Sequence, residues 1–192
     1  MSKKNLIIFL TLFFSLFGIY HIYGFTLPRW FPFNRKDALN EWEEKIFRNK
    51  VLYSVEIKQN NGYLAAKSNK AASGLVYKIR FKVQRYPMMS WKWKVIQFPD
   101  KRKKSDDKGG WIEKDDYAAR VYVIFNSLNF MNIKAVEYVW EENIPEGTIL
   151  TSPYSRNIKI FVLETGKKNA GQWVMEERNI NDDYIKAFGR VP

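Results

Sequence analysis

The sequence predicts a mainly β protein, an antiparallel sandwich preceded by an apolar N-terminal helix. Three observations carry this reading. Runs of alternating apolar and polar residues recur along the chain, at the period of two expected of strands with one buried face. Aromatic residues make up 17% of the 192 residues, with seven Trp, a composition that suits sheets better than helical bundles. From Asn5 to Leu27 no residue is charged, about the ~20 residues that a spanning helix needs.

The first element is that apolar stretch. Lys3 and Lys4 precede Leu6 to Phe25, and a short positive region before an apolar run is the pattern of an export signal. Gly24 is small enough to precede a cleavage point, but Ile22 stands where a second small residue is wanted. Residues 1–27 are therefore read as a signal-anchor in preference to a cleaved signal peptide. On either reading the remainder folds outside the cytoplasm, in the periplasm or on the outer side of the inner membrane. Pro28, Arg29, Trp30 and Pro32 make a linker, and Leu39, Trp42, Ile46 and Phe47 recur at helical spacing within Lys36 to Arg48. Residues 28–50 are thus expected to form a linker and short helix, and residues 51–192 the sandwich.

Strands are expected next. Val51, Tyr53, Val55 and Ile57 alternate with polar residues, and the turn Asn60-Asn61-Gly62 leads to a strand from Tyr63 to Ser68. Leu75, Tyr77, Ile79, Phe81 and Val83 give the clearest alternation in the chain. Shorter runs follow at Trp91 to Val95, Val121 to Phe125, Val136 to Trp140, Ile158 to Val162 and Trp173 to Ile180. Pro145-Glu146-Gly147 and Ser152-Pro153-Tyr154 supply turns, and Asp182 to Phe188 reads as a terminal helix stopped by Gly189. Seven or eight strands with few helices argue for a sandwich.

Composition removes several chemistries. There is no Cys, so disulfides, thiolate nucleophiles and cysteine-held metals are excluded. The one His, His21, lies in the apolar stretch, which leaves the exported region without a histidine base or ligand. Lys+Arg number 32 against 20 Asp+Glu, a net charge of +12 that becomes +10 without Lys3 and Lys4. Lys78, Arg80 and Lys82, Lys92 and Lys94, and the Lys101-Arg-Lys-Lys104 run spread that charge over strand faces and a loop. For an exported chain this suits solvation, or an anionic envelope component, and speaks against nucleic acid.

Several blocks together carry a resemblance. Ser73-Gly-Leu-Val-Tyr77, Tyr86-Pro-Met-Met-Ser-Trp-Lys-Trp-Lys-Val95, Asp115-Asp-Tyr-Ala-Ala-Arg-Val-Tyr-Val-Ile-Phe125, Tyr138-Val-Trp140, Ser152-Pro-Tyr154, Gly171-Gln-Trp173 and Arg178 to Gly189 occur in this order. From about residue 47 onward the chain resembles the bacterial domain-of-unknown-function 3047 family. The resemblance implies an exported protein with a jelly-roll-like sandwich, similar in outline to galactose-binding and carbohydrate-binding modules. It brings no activity, substrate or catalytic residue. Family members usually continue past the Phe188-Gly189 segment into a further strand. The end at Pro192 therefore implies a truncated sequence or an unpaired sheet edge.

Candidate ligand-binding residues fall in two polar clusters. Arg120 opens an apolar strand and needs a carboxylate, for which Asp116 is the expected partner. Arg178 and Asp183 belong to a second cluster after the last strand. Should the two meet at one end of the sandwich, they frame a sugar or anion site with Trp91, Trp93 or Trp140 as a stacking platform; otherwise they are ion pairs that close the sheet. The tryptophans' alternation with lysines favours core packing. Asp106, Asp107, Glu113 and Asp115 offer oxygens for a structural calcium, though their spacing does not fit an EF-hand loop. No cofactor is otherwise implied. The function expected is non-catalytic binding of a glycan or another envelope component by a membrane-anchored protein. A polysaccharide hydrolase with paired carboxylates, or a structural assembly protein, is the alternative.

Overall fold

A computed structural model describes residues 27–59, 61–100, 115–127 and 132–192. The expected N-terminal helix and Asp106, Asp107 and Glu113 lie outside the described residues. Among the described residues no helix is long and apolar enough to cross a membrane. The fold is mainly β, and the chain divides into two compact units, one ending at Arg80 and one spanning Phe81–Pro192.

The first unit contains two antiparallel ribbons. Strand β1 (Glu43–Arg48) pairs with β4 (Ala72–Val76), and β2 (Leu52–Lys58) pairs with β3 (Asn61–Lys67). The apolar spacing over Lys36 to Arg48 suggests a helix, but residues 36–41 form turns and β1 follows. Trp42 is drawn instead into an aromatic box with Phe31, Phe33 and Tyr77, ring centroids 4.7–5.9 Å apart. That packing outweighs a weak local preference. The long strand expected from Leu75 to Val83 stops at Val76, because its partner begins at Glu43 and offers no further ladder. Gly62 also differs in role. Lys58 pairs with Asn61, so Gly62 lies within β3 and not in the turn. A Cβ there would collide with the Phe33 carbonyl, and glycine permits that close approach.

The second unit holds the main core. Strands β6 (Ala119–Phe125), β7 (Lys134–Glu141), β8 (Ile149–Ser152) and β9 (Ser155–Thr165) form one sheet in the order β6-β7-β9-β8. It is not wholly antiparallel: β8 and β9 form a hairpin with β8 at the sheet edge, which lays β9 parallel to β7. Strands β5 (Met88–Trp93) and β10 (Val174–Asn179) make a separate antiparallel ribbon. The ribbon lies over one face of the sheet, with Trp91 5.2 Å from Tyr138 and Trp93 5.9 Å from Trp140 between ring centroids. Val136, Tyr138 and Trp140 have no exposed surface, and each such side chain contributes roughly 1.5–3 kcal/mol of burial. Helix α1 (Ile180–Phe188) joins the same core through Ile180, Tyr184 and Phe188. Asn179 caps its N-terminus by accepting from Asn181 and Asp182 N–H, and Gly189, at φ 70°, ends it.

Candidate functional site

The two polar clusters are both formed, but on opposite faces of β7. Successive side chains of a strand point to opposite sides. Tyr138 therefore turns toward the ribbon and helix, while its neighbour Glu137 turns to the other face of the sheet.

On the first face, Arg178 donates to both oxygens of Asp183, from Nε at 2.9 Å and Nη2 at 2.5 Å. The Tyr138 hydroxyl donates to Asp183 Oδ2 at 2.7 Å. Asp183 is 4% exposed and Tyr138 not at all. Burial and the Asp183 carboxylate push the Tyr138 hydroxyl far above its ordinary range, and the hydrogen bond to Asp183 also raises Arg178. This ion pair, its carboxylate buried and its guanidinium 31% exposed, ties β10, α1 and β7 together.

On the second face, Arg120 is the centre. Its Nη1 donates to Asp115 Oδ2 at 3.1 Å and to the Tyr122 hydroxyl at 3.2 Å, and its Nη2 donates to the Asp115 carbonyl. The same Nη1 stands 3.2 Å from Glu137 Oε1 as an ion contact. Asp115 and Glu137 thus take the place expected of Asp116 as the partners described for Arg120; Asp116 makes other interactions. The contacts of 3.1 and 3.2 Å to one nitrogen hold the two carboxylate oxygens within about 6 Å of each other. Tyr117 lies under the guanidinium, 5.1 Å from its ring centroid.

Glu137 has no exposed surface, and neither of its carboxylate oxygens has a hydrogen-bond partner among the described residues. Burial raises it from 4.5 to about 7, outweighing the opposing charge of Arg120. Arg120 shows the reverse balance. Burial works against its charge, but Glu137, Tyr122 and Asp115 together hold it above its ordinary range. Burial raises Tyr117 to about 12 and Tyr122 higher still. Over this buried layer lies an open one: the Arg120 side chain is 30% exposed, Tyr122 41% and Tyr154 55%. Burial first, and then the Asp115 charge against the opposing Arg120 charge, raise the Tyr154 hydroxyl above its ordinary range.

Of the tryptophans singled out from sequence, Trp93 and Trp140 spend their rings on each other, and Trp91 on Trp93 and Tyr138. Trp93 and Trp140, 7% and 0% exposed, offer no open face, so no stacking platform forms from them. The sequence reading missed Glu137, Tyr122 and Tyr154. A signal for Glu137 was present: it is a charge in the middle of a strand face, between Ala135 and Val139. Among the described residues no group of three or more carboxylates gathers to hold a metal ion.

A family described as proteins of unknown function, DUF3047, matches residues 40–192. The chain belongs to that family. The match takes in every residue of both clusters, and the block Asp115 to Phe125 of this DUF3047 member supplies three of the side chains around Arg120. No curated protein and no solved structure matches the chain.

Proposed function

We propose that this protein is a non-catalytic, membrane-anchored envelope protein whose Phe81–Pro192 unit binds a glycan at the Arg120 surface. One observation carries the reading. The Arg120 guanidinium, on a side chain 30% exposed, is held by Asp115, Glu137 and the Tyr122 hydroxyl, and Tyr122 and Tyr154 keep 41% and 55% of their surface. Tyrosine faces suit the apolar faces of sugar rings, and fixed donors suit their hydroxyls. With Glu137 protonated below pH 7, the charges of Arg120 and Asp115 cancel, which favours a hydroxyl-rich ligand over an anionic one. The ribbon packed on a four-stranded sheet supports a two-layer, jelly-roll-like sandwich similar to galactose-binding modules, with the parallel β7–β9 pair inserted. That part of the reading is an analogy of fold. The apolar run from Asn5 to Leu27 behind Lys3 and Lys4 supports export and anchoring.

The test is a glycan array probed with the full chain in detergent. Binding is expected, and Arg120→Ala and Tyr154→Ala are each expected to weaken it about tenfold or more. Wild-type protein that binds no glycan, or variants that bind as well as wild type, sinks the proposal.

A second reading draws on the carboxylate pair. The nearest oxygens of Asp115 and Glu137 lie no more than about 6 Å apart, a bound that admits the separation of a retaining glycosidase, and burial raises Glu137 as an acid requires. Against it, Glu137 has no surface for a substrate to reach. Glu137→Gln separates the two: a binding protein keeps its glycan affinity and has no hydrolysis to lose, whereas a hydrolase loses turnover and keeps binding.

A further inference from the structure

The aromatic box of the first unit does more than bury rings. Arg29 sits over both Phe31 and Tyr77, at 5.7 and 5.6 Å, and is ion-paired to Glu41. Phe31 packs edge-on against Trp42 and Tyr77. These contacts clamp the chain from Arg29 to Phe33 onto its unit. Trp30, between two clamped residues, is nevertheless turned outward and is 75% exposed. Arg35 and Lys36, just beyond, are also exposed; Arg35 keeps 68% of its side-chain surface and stands 3.6 Å from the similarly open Asp37, a contact that leaves its guanidinium largely in solvent. The pocket at this spot holds about 60 Å³, against the ~300 Å³ or more of small-molecule sites, so the feature is a surface and not a ligand cavity.

Position in the chain says what that surface faces. The apolar run ends at Leu27, and three residues at ~3.3–3.6 Å each set Trp30 within roughly 10 Å of its end. Tryptophan next to an apolar span, with cations a turn beyond, is the arrangement of a membrane–water interface. Charge agrees. Residues 27–80 carry eleven Lys and Arg against five Asp and Glu, whereas the longer stretch 81–192 carries nineteen against fifteen.

We infer that the Arg29–Lys36 surface of the first unit docks on an anionic lipid headgroup layer, with Trp30 inserted and Arg35 and Lys36 on the phosphates. This rests on the membrane-anchored reading above and adds to it a fixed contact between folded protein and bilayer. Juxtamembrane cations of this kind are each worth about fivefold in association with anionic membranes, an attraction that salt screens within a Debye length.

The absence of cysteine makes the test direct. A spin label is placed on the full chain through Asn34→Cys, an exposed position, and the protein is reconstituted into vesicles of phosphatidylglycerol with phosphatidylethanolamine, or of phosphatidylcholine alone. Flotation reports association, and a water-soluble nickel relaxant reports the label's exposure. The inference expects flotation, with the label shielded from nickel in the anionic vesicles. Shielding is expected to be lost at raised salt, and in Trp30→Ser combined with Arg35→Gln and Lys36→Gln, while flotation persists. A chain that floats with its label as open as in detergent overturns the docking and leaves the anchor standing. A chain that does not float overturns both. Equal shielding in phosphatidylcholine overturns the choice of an anionic partner.

Discussion

A carboxyl group with no exposed surface, whose burial outweighs the cation beside it, holds its proton more tightly than the same group in an unfolded chain. That is the situation of Glu137. The unfolded chain releases this proton near pH 4.5, the folded chain near 7. Between those values the native state binds more protons, so stability falls as pH rises. The contribution is full below pH 4.5 and is lost by the time pH has passed through about 7. Chemical denaturation at pH 5 and pH 8 checks this: the wild-type midpoint is expected to be lower at pH 8, and Glu137→Gln is expected to remove most of the difference. Asp183 is buried just as deeply but satisfied, by Arg178 and Tyr138. Removing its charge weakens two charge-assisted hydrogen bonds to Arg178, each worth about 1.5–3 kcal/mol. Losing the Tyr138 hydroxyl costs only a hydrogen bond, about 1–3 kcal/mol. Asp183→Asn is therefore expected to lower the denaturation midpoint further than Tyr138→Phe does.

At the scale of elements, strands were legible where they have partners. The periods at Val121, Val136, Ile158 and Val174 fall on β6, β7, β9 and β10, and the terminal helix with its Gly189 stop stands where its pattern puts it. Alternation reports a buried face but not a ladder, which is why nine alternating residues from Leu75 yielded only the end of β4. It also hides a strand buried on both sides. β7 is such a strand, and the run from Val136 to Trp140 drew attention to one face and away from Glu137 on the other. Arg178 and Asp183 were readable as a pair because a turn of sequence joins them. Arg120 and Glu137 were not, because the β6–β7 register that opposes Arg120 to Val139 is a property of the sheet. Glycines make the same point and can be tested. Gly62 and Gly74 both lie in strands of the first unit, but a Cβ at Gly62 meets the Phe33 backbone while one at Gly74 meets nothing within 4 Å. Gly62→Ala is expected to speed proteolysis of the first unit markedly, since backbone cannot yield as a side-chain tip does. Gly74→Ala is expected to leave it unchanged.

For the whole molecule, the two compact units carry different physics. The first, among its described residues, buries one hydrophobic side chain below a tenth of its surface, Val51, and leaves Trp30, Ile46, Phe47 and Leu52 at least half exposed. It also holds the larger excess of positive charge. The second concentrates the buried aromatic and β-branched core and sets a near-neutral polar cluster on one face of its sheet. The proposed interface for anionic lipid and the proposed site for a neutral glycan ask for those opposite properties, one in each unit. The two activities should then be separable by substitution. Arg120→Ala is expected to abolish retention on a glycan matrix while a label at Asn34→Cys stays shielded in anionic vesicles. Trp30→Ser with Arg35→Gln and Lys36→Gln is expected to expose that label while glycan retention stays at the wild-type level. Both readouts falling together in either variant would mean that one surface serves both ligands, and the division of labour between the units would have to be given up.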